Sequence, residues 1–337
     1  MNAALLHSPC ELFSHLYVER AVIDHPQTKR IMARFPRSHI IEIDHYKDVF
    51  NRPNQDFRIQ SRSKNLILAR REAPYLYEGS YYSDGFEFEN FFYTPTLLGC
   101  LYDCDYCYLQ GMYNSANNVL FVNIEAYFEA VKPHLDKPTL VAISYDTDTL
   151  ATESLSGHSA AWIVFAGREP NLNLEIRTKS ANFKPLRSLE PSAQIVLAWT
   201  LSPQVIIDRY EHKTPSLRQR LKAIAEALQA GWQVRLCIDP VIYNDDFEAL
   251  YLPFVDEIFA TLDAEKIHQL TLGSFRMSST YLKRIKKMHS SDIAFYPYEV
   301  NDGVASYSKA VEQKILATMV AKVTAYFPKE KIRTWEI

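Results

Sequence analysis

From Tyr93 onward, short apolar runs alternate with longer stretches whose apolar residues recur every three or four positions, the pattern of parallel βα units. The runs predict strands at Phe91–Thr96, Leu140–Ser144, Leu174–Thr178, Ile195–Thr200, Val234–Ile238 and Leu270–Leu272. Helices are expected between them at Glu125–His134, Ala160–Ala166, Ser216–Gln229, Phe247–Thr261 and Tyr281–Met288. A count of six strands suits an α/β fold of the partial (β/α)6, TIM-like barrel type better than a closed eight-stranded barrel. A last helix, Lys314–Phe327, presents Leu316, Val320, Val323 and Phe327 on one face and would cap the core.

Residues 1–92 read as a small N-terminal α/β domain, which leaves 93–337 to the barrel and its capping helix. Here Leu16–Val22 is strand-like, His25–Phe35 is a short amphipathic helix with Ile31 and Met32 inward, and His39–Ile43 is a second strand. Asn51–Lys64 is polar and irregular, and Asn65–Ala69 offers another strand. Tyr75–Tyr93 is dense in aromatics, including Tyr81, Tyr82, Phe86, Phe88, Phe91 and Phe92. Such a run can stack bases, but aromatic runs more often pack an interface, and packing is the favoured reading.

Composition narrows the class. The 337 residues are 47% hydrophobic and 23% charged, which is the make-up of a soluble globular protein. No apolar run approaches the length of a bilayer span, and the opening M-N-A-A-L-L-H-S-P lacks a basic region before a long apolar core, so a cytoplasmic protein without a membrane partner is expected. A net charge of −3 does not advertise a polyanionic partner, because phosphate contacts need a local excess of Lys and Arg. Five cysteines, an odd number with three of them clustered, argue for a reducing compartment.

Those three cysteines carry the chemistry. Thr94–Gly111 reads T-P-T-L-L-G-C-L-Y-D-C-D-Y-C-Y-L-Q-G, with Cys100, Cys104 and Cys107 in the order C-x3-C-x2-C and Gly99 just before the first thiol. A cubane iron-sulfur cluster wants four thiolates, so three would leave one iron open. A tetrahedral zinc site would need a fourth ligand nearby, yet the next His is His134 and the next Cys is Cys237. The remaining alternative is a set of buried thiols acting as small hydrophobes.

In a parallel barrel, functional residues come from the carboxyl ends of strands, with alternate residues pointing inward. In Leu174–Lys179 the apolar residues are Leu174 and Ile176, so Glu175, Arg177 and Lys179 share the other face, and Lys179 at the strand end could bind a carboxylate. A solvated loop lysine is the plainer alternative. The same parity turns Arg235, Cys237 and Asp239 inward, which makes Cys237 the one thiol outside the cluster loop expected near a reaction chamber, with core packing as its alternative.

The C-x3-C-x2-C spacing resembles that of the radical S-adenosylmethionine superfamily, and Cys104–Gln110, C-D-Y-C-Y-L-Q, is similar to the loop of the spore photoproduct lyase family. Leu16–Ala21, Arg177–Leu186, Trp199–Gly231 and the C-terminal F-P-K resemble that family too. The resemblance implies a partial (β/α)6 barrel and a carbon-carbon lyase of DNA repair. It further implies a 4Fe-4S cluster whose open iron chelates S-adenosylmethionine, and a 5'-deoxyadenosyl radical that reverses the thymine-thymine lesion 5-thyminyl-5,6-dihydrothymine. The implied partners are damaged DNA, whose lesion is flipped out of the stack, and a reducing protein such as flavodoxin or ferredoxin.

Position by position, the resemblance makes Cys100, Cys104 and Cys107 the cluster ligands. Tyr106 and Tyr108 match family tyrosines implicated in radical transfer or cofactor contact, and Thr147, Lys179 and Thr200 match positions that bind S-adenosylmethionine. Two departures stand out. Ile143–Leu150, I-S-Y-D-T-D-T-L, places Tyr145 where the family segment Ser-Cys-Thr-Ser-Asp carries its hydrogen-donating cysteine. Tyr145 could take over that role, relayed through Tyr106 or Tyr108; Cys237 could do so instead; or the substrate could be another nucleic-acid or small molecule. The second departure is Ser291–Tyr307, shorter and more acidic than the family's basic, aromatic hairpin. Its Phe295, Tyr296 and Tyr298 could still wedge between bases, and K-R-I-K-K at Lys283–Lys287 could meet phosphates or simply form a solvated face.

Overall fold

Period-two alternation near the N-terminus builds a parallel sheet. Strand His15–Glu19 buries Leu16 and Val18 and pairs in parallel with His39–Ile43 on one side and Leu66–Ala69 on the other. The computed structural model describes residues 13–79, 88–288 and 291–335; the expectations for Tyr81, Tyr82 and Phe86 lie outside them. The first strand is shorter than expected, because Arg20–Val22 turns into a 3-10 helix. His39–Ile43 forms the expected strand at the sheet edge. Helix Pro26–Met32 starts with a proline, which suits the first turn, behind His25, whose ring accepts from Gln27 N. It buries Ile31 fully and Met32 partly. Within the stretch expected to be irregular, Asp56 caps a short helix, Phe57–Ser61, by accepting from Ile59 N at 3.0 Å.

The sheet also draws in residues past 92. Asn118–Phe121 pairs in parallel with Leu66–Ala69, and Leu97–Leu98 pairs antiparallel with Asn118–Phe121. Phe13, Leu16, Val18, Ile31, Leu66, Leu68, Leu97 and Leu120 form one apolar core beneath it. The chain divides into two compact units, Met1–Leu101 with Met112–Arg177, and Tyr102–Gly111 with Thr178–Ile337. Cys100 therefore belongs to the first unit, and Cys104 and Cys107 to the second.

All six strands expected of a barrel are present. In the first unit Asn90–Tyr93, Thr139–Ala142 and Leu172–Thr178 run parallel, flanked by the antiparallel Tyr77–Glu78. Tyr75 packs edge-on against Tyr127 at 5.1 Å and Phe92 against His134 at 4.6 Å, so these members of the aromatic run pack inside the unit. Helices Ile124–Val131, Thr149–Ser156 and His158–Ala166 follow the strands, and Gly157, at φ +68°, ends the second of these and opens the third.

In the second unit Ile195–Thr200, Gln233–Val241 and Gln269–Ser274 run parallel, and a further parallel strand, Ile332–Trp335, pairs with Gln269–Ser274. That last strand has no continuous apolar run to announce it. Ser216 and Gln219 form a capping box at the start of helix Leu217–Gln229. The terminal helix is Lys309–Val323, and its buried face keeps Leu316 and Val323 of the expected set and adds Ile315 and Met319. Val320 is half-buried, and Phe327 is buried beyond the helix end.

The segment expected to wedge between bases forms a hairpin, Glu299–Asn301 with Val304–Ser306, turned by Asp302 and Gly303 at φ 47° and 80°. Tyr296 and Tyr298 pack against Tyr307 at 4.8 and 5.3 Å, and Tyr298 stacks on Phe275 at 4.6 Å. Phe295 is exposed beneath Lys286. Helix Ser279–Met288 buries Leu282 and Ile285 and turns Lys283, Arg284, Lys286 and Lys287 outward.

Candidate active site

The part of the cysteine loop in the first unit is fixed through its backbone. Gly99 has φ +82°, and a Cβ there would stand 2.7 Å from the Asn117 carbonyl oxygen, so only glycine fits the turn before Cys100. Lys64 is 8% exposed, rare for a lysine; its Nζ donates to the carbonyls of Cys100 at 2.7 Å and Leu101 at 3.3 Å. Cys100 is half-buried and in no disulfide.

In the second unit the loop is clamped by a two-residue antiparallel bridge, Asp103–Cys104 against Glu211–His212, with Cys104 opposite Glu211. Asp105 N donates to Tyr210 O at 2.8 Å, and Lys213 pairs with Asp103 at 2.5 Å. Cys107 N and the Gln110 side chain both donate to the Cys104 carbonyl, at 3.0 and 2.7 Å, folding the segment into the turn that leads to helix Tyr108–Met112. Cys104 is buried, and Cys107 and Tyr108 are half-buried.

Tyr106 is buried and donates its phenol hydrogen to Glu211 Oε1, which also accepts from Ser202 at 3.0 Å. Glu211 Oε2 pairs with Arg220, and both side chains are wholly buried. Arg220 gives its other donors to Thr200 O at 3.1 Å, Thr214 Oγ1 at 2.7 Å and Pro215 O at 3.0 Å. Burial and the Glu211 carboxylate push the Tyr106 phenol well up. Burial would also raise the Glu211 carboxyl, but the cations Arg220 and Lys179 outweigh it and hold the carboxyl below its ordinary range. Lys179 Nζ lies over the Tyr106 ring, 5.3 Å from its centroid. Burial alone would lower the ammonium, yet the charges of Cys104 and Glu211 hold it raised.

Strand register aligns three further polar residues. Thr200 faces Cys237, and Cys237 faces Thr271, across neighbouring parallel strands, and all three are buried. The Thr271 hydroxyl has no partner among the described residues. The other residues that shared Cys237's expected face have structural partners: Arg235 Nε donates to Gln269 at 2.8 Å, and Asp239 takes both Arg276 nitrogens at 2.8 and 3.2 Å.

In the first unit the expected alternation of Leu172–Thr178 is present, with Leu172, Leu174, Ile176 and Thr178 buried and the residues between them half-buried. Tyr145, just past strand Thr139–Ala142, stacks on Tyr93 at 4.3 Å and 25°, and Tyr93 stacks on Tyr77 at 5.3 Å and 18°. Arg71 donates to the Tyr77 hydroxyl at the far end of this column. Beside Tyr145, Asp146 and Thr147 are buried, and Asp146 Oδ1 and the Thr147 hydroxyl lack a partner among the described residues. Burial pushes the Asp146 carboxyl up to about 6, against the pull of Arg71.

Glu211, Arg220, Lys64 and Tyr93, which contact the candidate residues or one another, are the ones that sequence reasoning missed. Glu211 lies in a polar stretch with no periodic signal and Arg220 in a predicted helix where an arginine is expected to face water, and their burial arises from pairing with each other and with a loop about a hundred residues away. A buried, unpartnered Thr147 hydroxyl suits a protein that expects a polar ligand there, because a buried hydroxyl without a hydrogen bond is costly. Among the described residues, no three His, Cys, Asp or Glu side chains stand close enough to grip one metal ion. A cubane asks for something else, since each thiolate binds its own iron, and three thiols outside any disulfide are a donor set that would fit one with an iron left open.

Alternating parallel strands and helices, entered through a C-x3-C-x2-C loop, define a radical S-adenosylmethionine protein with a partial barrel. A solved mutant spore photoproduct lyase with bound AdoMet and dinucleoside spore photoproduct has this fold, with a TM-score of 0.83 at 17% identity over 96% of this chain and 98% of its own. The chain belongs to the spore photoproduct lyase family, whose profile matches residues 13–335. It is 22% identical to the spore photoproduct lyase of Clostridium acetobutylicum over 96% of this chain and 98% of that protein. The Bacillus subtilis spore photoproduct lyase is 19% identical, over 94% and 96%. No helix among the described residues is long and apolar enough to cross a membrane.

Proposed function

We infer that this protein is a radical S-adenosylmethionine lyase that reverses the 5-thyminyl-5,6-dihydrothymine lesion of DNA. The observation that carries this reading is the family match over residues 13–335, which includes the cysteine loop. The lesion itself follows from relatives of the same fold, one of them solved with AdoMet and dinucleoside spore photoproduct bound.

Cys100, Cys104 and Cys107 would hold the 4Fe-4S cluster, and a protein of the flavodoxin or ferredoxin kind would be its reductant. When bound, the cluster and S-adenosylmethionine would supply a 5'-deoxyadenosyl radical able to take a hydrogen atom from C6 of the dihydrothymine ring, one bond from the methylene bridge, which then breaks to leave one thymine whole and the other short of one hydrogen atom. Lys179 would meet the carboxylate of S-adenosylmethionine, and the hydroxyls of Thr147, Thr200 and Tyr108 could donate to or accept from its polar groups. Tyr145 gives the phenolic hydrogen atom that completes the released thymine. It is half-exposed at the end of a strand, and the Tyr93 ring beneath it fixes its plane. Cys237, 1% exposed within its strand, is assigned to packing. DNA phosphates meet the outward cations of helix Ser279–Met288.

The test is anaerobic incubation of the reconstituted protein with the 5-thyminyl-5,6-dihydrothymine dinucleotide and reductant. Two thymines per lesion are expected. A protein that cleaves S-adenosylmethionine but leaves the dinucleotide intact is a radical enzyme of another substrate. Tyr145→Phe is expected to lower clean turnover and yield stray adducts; normal turnover by that variant removes Tyr145 from the donor role.

A further inference from the structure

Glu211 is a carboxylate sealed from water, and the protein supplies all the solvation seen around it. Oε1 takes hydrogen bonds from Tyr106 and Ser202, and Oε2 takes the Arg220 guanidinium. A buried ion pair is a poor way to gain stability, and its best-attested use is to fix one arrangement among several. The arrangement fixed here is that of the loop carrying Cys104 and Cys107. Glu211 faces Cys104 across the antiparallel bridge, and its side chain holds the ring of the residue between the two thiols.

Two consequences follow from Tyr106 being held in this way. A phenol has one hydrogen, and this one is committed to a carboxylate, so Tyr106 presents no O–H to a third group. Its ring cannot swing, and the face it shows carries the Lys179 ammonium 5.3 Å from the centroid. We propose that Glu211 is a positioning residue that, through Tyr106, aims Lys179 at the carboxylate of S-adenosylmethionine, and that Tyr106 is a strut rather than a carrier of hydrogen atoms. This rests on the reading of Lys179 as a cofactor ligand, and it assigns any relay in the loop to Tyr108.

The experiment measures S-adenosylmethionine affinity on the reconstituted protein, from the change in the electron paramagnetic resonance signal of the reduced cluster as cofactor is added. Iron and sulfide content is measured alongside. Glu211→Gln combined with Arg220→Met leaves no unpaired buried charge; it should keep its iron and bind S-adenosylmethionine about tenfold more weakly. Tyr106→Leu should match it, and Tyr106→Phe, which keeps the ring face, should lose about threefold. Tyr106→Phe should still pass hydrogen back between 5'-deoxyadenosine and the donor, releasing no more 5'-deoxyadenosine per lesion repaired than the parent. Unchanged affinity in both the double variant and Tyr106→Leu overturns the positioning role. Accumulation of 5'-deoxyadenosine beyond the parent in Tyr106→Phe at unchanged affinity makes Tyr106 a hydrogen carrier and overturns the strut. If the double variant does not fold, judged by circular dichroism, the two Tyr106 variants decide alone. Lys179→Met separates the two readings, since unchanged affinity there refutes the Lys179 ligand role itself, whatever Glu211 does.

Discussion

Removing the Glu211 carboxylate isolates the cost of a buried charge. In Glu211→Ala the Arg220 guanidinium, whose side chain is fully buried, keeps Thr200 O, Thr214 Oγ1 and Pro215 O but loses its only anionic partner among the described residues. Breaking a buried pair from one side costs about 3–5 kcal/mol. The hydroxyls of Tyr106 and Ser202 lose their acceptor as well, roughly 1 kcal/mol each. The sum, about 5–7 kcal/mol, rivals the roughly 5–15 kcal/mol that holds a domain folded. Glu211→Gln with Arg220→Met keeps an acceptor for both hydroxyls and leaves no stranded charge, so it is expected to fall within about 2 kcal/mol of the parent. Urea unfolding of the cluster-free protein reads the difference, with the buried Trp199 and Trp232 as fluorophores in the same unit. The folded Glu211 carboxyl sits below its ordinary range because Arg220 and Lys179 overcome the effect of burial. Its contribution is therefore fully present above the unfolded pKa of about 4.3 and is lost as pH falls through the lower folded value. The gap between parent and Glu211→Ala should stay constant from about pH 8 to pH 5 and close only in stronger acid. A gap under about 1 kcal/mol at pH 7, or a double variant as unstable as the single one, refutes the reasoning.

Gly99→Ala places a Cβ 2.7 Å from Asn117 O at a positive φ, so it should shift the turn before Cys100 and reduce the iron retained on reconstitution. Gly111→Ala meets the Tyr281 backbone oxygen at 2.6 Å and Cα at 2.7 Å, and a loss of about 1–3 kcal/mol in thermal or urea unfolding is expected. The Asp146 carboxyl, raised to about 6 by burial, makes the parent less stable as pH climbs from about 4 to 6, because the folded state holds the proton more tightly than the unfolded one. Asp146→Asn should therefore stabilise the protein by on the order of 2 kcal/mol at pH 7.5 and by nearly nothing at pH 3.5; the same melting temperature as the parent at pH 7.5 contradicts the burial argument.

Much of this protein is written locally. The six barrel strands, the helices after them and the face alternation of Leu172–Thr178 follow from periodicities that need only a few neighbouring residues to express. The cysteine spacing is equally local, because three thiols within eight residues cannot be far apart in the fold. The strand Ile332–Trp335 and the continuation of the N-terminal sheet by Asn118–Phe121 depend on which partner edge is offered, and the chain does not carry that information in any one segment. The same is true of the second layer of the site. Glu211, Arg220 and Lys64 are residue types that usually face water, and only tertiary packing strips that water away and supplies each with partners. Short-range pattern thus determines the elements and the cysteine spacing, whereas the charges that hold the cysteine loop in place acquire their roles only when distant segments close around them, since an ion pair is worth little in water and decisive once buried.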